Sequence, residues 1–456
     1  TQYQEVSIIK SHKQSQIWNS SYNPHIFGFI SDAHVTSFFP DDINITTTIL
    51  QTLNETGVEK ILIGGDIGDN FATKSSVKHG HQYEDDYIIY KRIADEYPKD
   101  FLIVASGNHD EFGVESYDSS EHYILQYCDF YKKNDKYKNY DNFLISKIDH
   151  EDVEIFVMNP YHYPTVRAGL GYHANLTTEM LDKIEYALSS PSNSKSRFLL
   201  THFPLSYTNT WAKSSSKKTL IDIATSCNLS VILVGHSHHE LIMHRKSSLE
   251  IRTRSIKKGK SSGFGFRYIS VDNGGVSDSG FVLNEIERPV AVLTYPVKKK
   301  YVSDQTDFSF DMFYQGEIRV VHFSENKNLN ISVSCRSGSN KFSDIKTSRL
   351  KFQRIIRSNQ SLYSTSLKQV CYRENDDKYN EVEYHLTFLG DWNYEADFVA
   401  GESVKLEKEI LDFDEDMRKF VCVIGFICWI IILYVWCPIP PFKYFDKITT
   451  MFAGQK

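Results

Sequence analysis

Five short polar motifs contain residue types that bind divalent metal ions. In chain order they begin at Asp32, Gly64, Gly107, Thr201 and Gly235. Aspartate, asparagine and histidine together offer oxygen and imidazole ligands, which suit Mn, Fe, Zn or Mg. One carboxylate can bridge two such ions and hold them about 3.5–4 Å apart. The residue types therefore predict a site for divalent cations.

Each motif directly follows a predicted buried strand. These strands are predicted at 25–31, 60–63, 101–105, 197–200 and 230–234, with a further strand at 154–158. Helical periodicity is found between them at 42–57, 83–98, 177–189 and 218–227. Alternating strands and helices are typical of an α/β domain, in which ligands bind at the carboxyl ends of the strands. Loops that are far apart in sequence can converge there.

Any one motif could be structural, since GNHD could be a turn and D-x-H the start of a capped helix. Five of them in one order, each behind an apolar strand, favour a functional site. The order D-x-H, GGD-x-x-D-N, GNHD, TH and GH-x-H over residues 32–239 is similar to the signature of calcineurin-like metallophosphoesterases. The resemblance implies a four-layer α/β/β/α sandwich that hydrolyses a phosphate mono- or diester with two divalent metal ions.

The resemblance also implies roles for individual residues. Carried over residue by residue, the metal ligands are Asp32, His34 and His238 for the first ion, Asn108, His202 and His236 for the second, and Asp66 as the bridge. His109 would be the general acid or would orient the phosphate, and Asp110 would be its partner. Asp69 would support the ligands or the loop. Candidate substrate loops are 71–86, with His79 and His81, and 160–174, with Tyr161, His162, Arg167 and His173.

Beyond residue 240 the pattern changes from alternating helices and strands to strands alone. Segments predicted as strands are 249–254, 266–271, 290–295, 317–323, 329–334, 350–356 and 381–388. The later ones predict a β-sandwich, Ig-like in type. The predicted organisation is an N-terminal segment (1–24), a metallophosphoesterase domain (25–288), a β-sandwich (289–402), a juxtamembrane linker (403–419), a transmembrane helix (420–437) and a C-terminal tail (438–456).

Residues 420–437 form an apolar run without a charged side chain, long enough to cross a bilayer. All Asn-x-Ser/Thr sequons precede this run, at Asn19, Asn44, Asn54, Asn175, Asn228, Asn330 and Asn359. N-glycans are therefore possible there, and we expect a single-pass protein with a lumenal or extracellular body. The chain begins at Thr1, without Met and without a signal peptide, so either a signal peptide was removed or the sequence is a fragment.

Cys128, Cys227, Cys335 and Cys371 lie in the polar body, where they could form two disulfides or remain unpaired. The order of phosphoesterase body, β domain and hydrophobic helix also resembles the transmembrane-protein-62 family. Two strings carry that likeness, Gly80–Glu84 and Arg288–Pro296. Several membrane helices are expected in that family, whereas one is found here.

Two other functions compete with the hypothesis that the chain is a phosphoesterase. A catalytically silent metal-binding ectodomain could serve as a receptor, adhesion or assembly component, with unknown protein partners. A nucleic-acid enzyme is disfavoured, because the net charge of −7 provides no basic surface to attract a polyanion.

Overall fold

The computed structural model describes residues 18–70, 82–132, 138–141, 143–165, 173–256, 265–282, 291–303, 314–324, 329–337, 345–371 and 381–401. These residues belong to one compact unit, Thr1–Glu409. A second unit, Ile410–Lys456, contains the predicted transmembrane segment and lies outside the described residues. Within the described ranges, no helix is long and apolar enough to cross a membrane.

Twelve described strands build the α/β domain. They are β1 (His25–Ile30), β2 (Ile61–Ile63), β3 (Leu102–Val104), β4 (Lys138–Asp141), β5 (Ile145–His150), β6 (Val153–Met158), β7 (Ser196–Thr201), β8 (Val231–Val234), β9 (Leu241–Arg245), β10 (Ser248–Arg252), β11 (Gly265–Asp272) and β12 (Gly275–Val282). They form a five-stranded sheet of order β12-β11-β1-β2-β3 and a seven-stranded sheet of order β4-β5-β6-β7-β8-β10-β9. β1, β2 and β3 run parallel, as do β6, β7 and β8.

Helices cover the outer faces of both sheets, except the short helix Leu367–Val370, which packs in the added β region. The helices are α1 (Pro40–Glu55), α2 (Glu84–Ala94), α3 (Tyr123–Tyr127), α4 (Thr178–Leu188), α5 (Leu220–Ser226) and α6 (Leu367–Val370). Short 3-10 turns occupy His109–Glu111, Asp129–Tyr131, Leu205–Tyr207 and Lys299–Tyr301. α5 begins at a capping box in which the Thr219 and Asp222 side chains satisfy each other's backbone amides. α2 ends at Ala94, earlier than the predicted 83–98, because Pro98 disfavours helical geometry just before it.

Side chains of β6 show how the layers are ordered. Val153, Ile155 and Val157 point into a core shared with the five-stranded sheet. The alternate residues Phe156 and Met158 point into a second core with α4 and α5. Successive strand residues face opposite sides of a sheet, so β6 is buried on both faces. The domain is therefore layered as helix, sheet, sheet and helix, and the predicted mixed α/β fold with an added β region is confirmed.

The added β region consists of two four-stranded sheets. Its strands are β13 (Ala291–Tyr295), β14 (Glu317–His322), β15 (Ile331–Ser337), β16 (Lys346–Arg349), β17 (Lys351–Arg357), β18 (Gln360–Ser366), β19 (Glu381–Gly390) and β20 (Tyr394–Gly401). The sheet orders are β13-β14-β18-β17 and β16-β15-β19-β20. A disulfide joins Cys335 to Cys371, while Cys128 and Cys227 are unpaired and buried, so one of the two possible disulfides is present.

The sheet β13-β14-β18-β17 contributes to two cores at once. Leu293 and Val320 face the core between the two β sheets, whereas Val292, Val321 and Leu362 belong to the core of the α/β domain. The two regions are thus packed against each other through apolar side chains.

A polar cluster also stabilises the interface between the α/β domain and the added β region. We call it the interdomain clasp and define it as His25, Glu59, His150 and Arg357. The Glu59 carboxylate contacts His25 Nδ1 at 2.9 Å, and also the His150 ring and the Arg357 guanidinium. Arg357, on β17, donates a further hydrogen bond of 2.8 Å to the carbonyl of Pro24.

Candidate metal centre

The seven predicted metal ligands come from loops that follow five strands. Asp32 and His34 follow β1, Asp66 follows β2, and Asn108 follows β3 in the five-stranded sheet. His202 follows β7, and His236 and His238 follow β8 in the seven-stranded sheet. Backbone hydrogen bonds hold these loops together, such as His34 N–H to the Asp66 carbonyl at 2.9 Å. The carboxyl ends of both sheets therefore meet at one place.

The ligand atoms of these residues form two adjoining sets. Asp32, His34, Asp66 and His238 offer atoms that all lie within 4.8 Å of one another. Asp66, His202 and His236 form a second set with the same spacing. Asp66 belongs to both, since its Oδ2 lies 3.7 Å from His34 Nε2 and 3.4 Å from His202 Nε2.

Asn108 joins the second set through its amide oxygen. Asn108 Oδ1 lies 2.9 Å from His202 Nε2 and 2.8 Å from His236 Nδ1. The residue is buried, and it immediately precedes the 3-10 turn that carries His109. The structure thus brings together all seven residues that the sequence singled out as ligands.

The imidazole nitrogens in the cluster face each other in pairs. His34 Nε2 lies 3.3 Å from His238 Nε2, and His202 Nε2 lies 3.2 Å from His236 Nδ1. His202 directs its other ring nitrogen to the Gly64 carbonyl at 2.7 Å, which leaves the Nε2 lone pair directed at the cluster. Imidazole nitrogens that converge with two carboxylates and an amide oxygen fit ions such as Mn, Fe or Zn. The residues present therefore suit a divalent metal.

The backbone at these positions is held in an uncommon conformation. Asp32, His34, Asp66, His236 and His238 all have positive φ, between 46° and 65°. Few residues other than glycine adopt this left-handed region, which costs of order 1–3 kcal/mol each and concentrates at functional sites. Five such residues in one cluster indicate a site shaped for binding.

Gly107 lets the loops approach one another. A Cβ at Gly107 would lie 2.1 Å from Asp66 Oδ1, closer than any real contact. The absence of a side chain there allows the loop after β3 to pass against the carboxylate of Asp66.

Charges within the cluster shift its pKa values in opposite directions. Burial alone would raise the pKa of Asp32, but His238 and then His202 outweigh it and lower that pKa to about 2. Burial, reinforced by His202, lowers the pKa of His236 to about 3. Burial opposes a proton on His202 as well, but the Asp66 carboxylate outweighs it and raises the pKa of His202 to about 9. At pH 7 Asp32 is therefore ionised and His236 neutral, as ligation requires, whereas a metal ion would have to displace the proton from His202.

His109 lies beside the cluster and is held from behind. Its backbone N–H donates to Asp66 Oδ1 at 2.8 Å, and its Nδ1 is hydrogen-bonded to the Asp69 carbonyl. The ring centroids of His109 and His34 are 4.5 Å apart. Asp69 also places Oδ1 3.3 Å from His34 Nδ1, so it positions both histidines.

Asp110 has other contacts than the resemblance implies. Its buried carboxylate accepts backbone N–H groups of Ile67, Gly68 and Gly107 at 2.9–3.2 Å, and the Tyr87 hydroxyl at 3.1 Å. The neighbour that holds the His109 ring is instead the Asp69 carbonyl. Asp110 thus shapes the loop that carries Asp66.

Two supporting residues were not singled out from the sequence. Asn70 Nδ2 donates to the Tyr87 hydroxyl at 2.7 Å and to the His109 carbonyl at 2.8 Å. Asn70 ends the GGD-x-x-D-N motif, so the motif could have indicated it. Tyr87 lies on α2 and has no comparable local signal.

Only parts of the two predicted substrate loops fall within the described ranges. Segment 71–81, with His79 and His81, lies outside them, as does Arg167 in the second loop. Tyr161, His162 and His173 lie beside the metal cluster and line a cavity that starts at Asn108.

An α/β domain with clustered Asp, Asn and His ligands where two sheets meet is of the metallohydrolase class. The sequence profile of the calcineurin-like phosphoesterase family matches residues 26–240. A curated relative from Arabidopsis thaliana, named as a metallophosphoesterase, is 26% identical over 223 residues, which is 46% of this chain and 29% of that protein. Residues 26–240 therefore resemble a calcineurin-like phosphoesterase domain, which supports a place in the metallophosphoesterase superfamily.

Solved structures with a similar fold include two named as phosphoesterases. A dimetal phosphatase from Danio rerio aligns over 56% of this chain and 95% of its own, with 10% identity and a TM-score of 0.38. An archaeal phosphodiesterase aligns over 56% of this chain and 99% of its own, with 12% identity and a TM-score of 0.26.

Proposed function

We propose that this chain hydrolyses a phosphate mono- or diester with two divalent metal ions that share Asp66. The observation that supports the proposal is the position of Asp66 Oδ2 between two sets of ligands, 3.7 Å from His34 Nε2 and 3.4 Å from His202 Nε2. Asp32, His34 and His238 would complete one ion site, and Asn108, His202 and His236 the other.

Bound ions of this kind offset the negative charge of the phosphate and lower the pKa of the attacking water. The protein residues supply the geometry. The left-handed backbone at Asp32, His34 and Asp66 directs their side chains inwards, and Asp110 fixes the loop around Asp66 through backbone amides. A prepositioned ligand set needs little reorganisation during the reaction.

His109 is the candidate proton donor. Its Nδ1 is hydrogen-bonded to the Asp69 carbonyl, which fixes the ring beside the cluster, and Nε2 of the protonated ring would transfer a proton to the leaving oxygen of the ester. Such general acid catalysis typically contributes 10²–10⁴-fold to the rate.

The test is a metal-dependent assay with the full chain. Mn²⁺-loaded protein is mixed with an aryl phosphate and with an aryl phosphodiester, and release of the phenol is followed. We expect turnover that stops on chelation, returns with Mn²⁺ and is lost in Asp66→Asn. Stoichiometric metal binding without turnover on any ester would instead support the silent ectodomain, and absence of metal binding would contradict both.

We also propose a glycosylated body anchored at a membrane by residues 420–437. Three observations support it: the charge-free apolar run, the exposure of all seven sequon asparagines, and a disulfide of the kind formed in oxidising compartments. The expected result is a mobility shift on endoglycosidase treatment of protein from a eukaryotic host, together with carbonate-resistant membrane association. Unshifted mobility would contradict the lumenal or extracellular body, and extraction by carbonate would contradict the anchor.

A further inference from the structure

A cavity of about 380 Å³ opens directly beside the metal cluster. It starts at Asn108 and is bounded by Phe112, Tyr161 and Phe203 among other residues. Phe203 directly follows His202 in the chain, and its ring centroid lies 4.9 Å from that of His236. A group attached to a phosphate at the metal cluster would therefore extend into this space, whose size is within the range of small-molecule sites.

The inner wall of the cavity is aromatic. Tyr161 and Phe203 have ring centroids 5.9 Å apart at an interplanar angle of 54°, so they form a corner. The Tyr161 hydroxyl donates to the Ser106 carbonyl at 3.1 Å, which commits its polar end to the protein. Phe112 packs against His109 with centroids 4.6 Å apart. Fixed aromatic faces favour a flat, apolar partner.

The polar groups that line the cavity already have partners. The Glu111 carboxylate contacts Ser106 Oγ at 2.5 Å, His122 Nε2 at 3.1 Å and the Tyr163 hydroxyl at 3.0 Å. The Thr165 hydroxyl donates to the Glu111 carbonyl. Among the described residues that line this space, none is a lysine or arginine. An additional anionic group would lose its hydration here without gaining a counter-ion.

Two histidines at the opening are held with their rings in place. His162 Nε2 is hydrogen-bonded to the Asn175 carbonyl at 2.7 Å. His173 Nδ1 is hydrogen-bonded to the Tyr207 carbonyl at 3.2 Å, and its ring stacks on that of Tyr207 at 5.6 Å. Both side chains are exposed, so their rings extend the aromatic surface outwards.

We propose that the cavity binds a flat, uncharged ring carried by the ester, such as an aryl group or a nucleobase. The inference rests on the proposed function, because the phosphate of the same molecule must lie at the metal cluster. It restricts the substrate class to esters whose organic group contains such a ring next to the phosphate.

Two pairs of substrates test the shape of this group in the full-length, Mn²⁺-loaded protein. Benzyl phosphate and cyclohexylmethyl phosphate have similar alkoxide leaving groups and differ in whether the ring is flat. Uridine 5′-monophosphate and ribose 5-phosphate differ in the presence of a nucleobase. Stacking on one aromatic face changes binding enough to predict about tenfold higher kcat/KM for the flat member of at least one pair. Preference in the first pair indicates an aryl group, and preference in the second a nucleobase.

Variants of residues that line the cavity provide a second test. We expect Tyr161→Leu to reduce the flat-ring preference about tenfold, whereas Tyr161→Phe, which keeps the ring, should retain it. Tyr186→Leu is the matched control, because Tyr186 is 75% exposed on α4. If Tyr161→Leu does not fold, His162→Ala at the exposed opening replaces it and should also lower the preference. Equal kcat/KM within both pairs for the wild type would overturn the inference, as would an unchanged preference in Tyr161→Leu.

Binding of non-hydrolysable analogues separates this inference from the proposed function. Calorimetry would compare benzylphosphonate with cyclohexylmethylphosphonate on the metal-loaded protein. Tighter binding of the flat analogue without turnover of any ester would leave the cavity assignment standing and refute the enzyme. Turnover with no preference for a flat ring would support the enzyme and refute the cavity assignment.

Discussion

Two clusters of histidine and carboxylate side chains lie at opposite ends of β1. The metal cluster begins at Asp32, just beyond the end of this strand, and the interdomain clasp begins at His25, its first residue. In both, imidazole and carboxylate atoms lie within 4.8 Å of one another. By residue type and spacing alone, either cluster could be a metal site.

Their surroundings differ in the source of positive charge. In the clasp, the Arg357 guanidinium contacts Glu59, and Asp152 Oδ1 lies 2.8 Å from His25 Nε2. In the metal cluster, no described lysine or arginine forms an ion pair with Asp32 or Asp66. The clasp is thus neutralised by the protein, whereas the carboxylates of the metal cluster would be neutralised by a bound cation under the proposed function. Burial of unpaired carboxylates would otherwise be costly.

Metal affinity should show the largest difference between the clusters. Under the proposed function Asp66→Asn would weaken the ligand that the two ions share, so we expect a loss of metal affinity beyond the 10–100-fold typical of outer partners, about 10³-fold or more. Glu59→Gln should leave metal content unchanged. Equilibrium dialysis with elemental analysis measures both variants. A similar loss of metal from Glu59→Gln would show that the clasp, too, holds an ion.

The free energy of unfolding, in contrast to metal affinity, should depend strongly on the clasp. Glu59→Gln removes the buried negative charge that pairs with a partly buried guanidinium and two imidazoles, and we expect the free energy of unfolding to fall by about 3 kcal/mol. Glu55→Gln, at an exposed position four residues earlier, should change it by less than about 0.5 kcal/mol. Urea unfolding of the two variants gives the comparison. Equal stability of both would mean that the clasp contributes nothing to the interface.

The pH dependence of stability should identify the clasp histidine. Burial disfavours a proton on His25, but hydrogen bonds to Asp152 and Glu59 outweigh it and raise the pKa to about 9. Hydrogen bonds from His150 and His25, with the charge of Arg357, outweigh burial and lower the pKa of Glu59 to about 2. Other charged or polar groups that face His25 are Glu151, the Tyr22 hydroxyl by way of Asp152, and Arg357.

A raised folded-state pKa means that the His25 contribution is complete below its unfolded pKa of about 6.5. It is lost as the pH rises through about 9. We therefore expect the free energy of unfolding to decrease between pH 6.5 and pH 9 by up to about 3 kcal/mol. His25→Gln should flatten this part of the profile, and a His25→Gln profile that stays as steep as the wild type would contradict the assignment.

Asp69→Asn should give the smallest of these effects, a moderate loss of metal affinity. Asp69 contacts His34 Nδ1 and orients that ring from behind, so its loss should lower metal affinity about 10–100-fold while the ligands stay in place. Asp222→Asn serves as a control, since Asp222 caps α5 and lies outside the cluster. A loss as large as that of Asp66→Asn would make Asp69 a direct ligand.

The metal cluster could be predicted from the sequence because its residues follow apolar strands. His202 and His236 come immediately after strand ends that hydrophobic runs predict, so local pattern alone places them at one edge. The role of Asp110 could not be predicted, because a carboxylate that accepts hydrogen bonds from backbone amides does not produce a recognisable spacing of residue types. Edge strands β9, β16 and β20 were also missed, since they are short or half-exposed and lack a continuous apolar run.

The clasp could not be predicted for a different reason. Arg357 and Glu59 are separated by almost 300 residues and meet only because β17 packs on the α/β domain. No periodicity links a strand of one region to a loop of another. His25, His150 and Arg357 lie in none of the sequence motifs, although all three contact Glu59.

The sheet β13-β14-β18-β17, buried on both sides, has a consequence for anyone who wishes to shorten this protein. A cut at the predicted boundary of 288 would strip Val292, Val321 and Leu362 from the hydrophobic interior of the part that is kept. It would also leave Glu59 buried without its guanidinium. Expression of residues 25–288 by themselves should therefore give aggregated material.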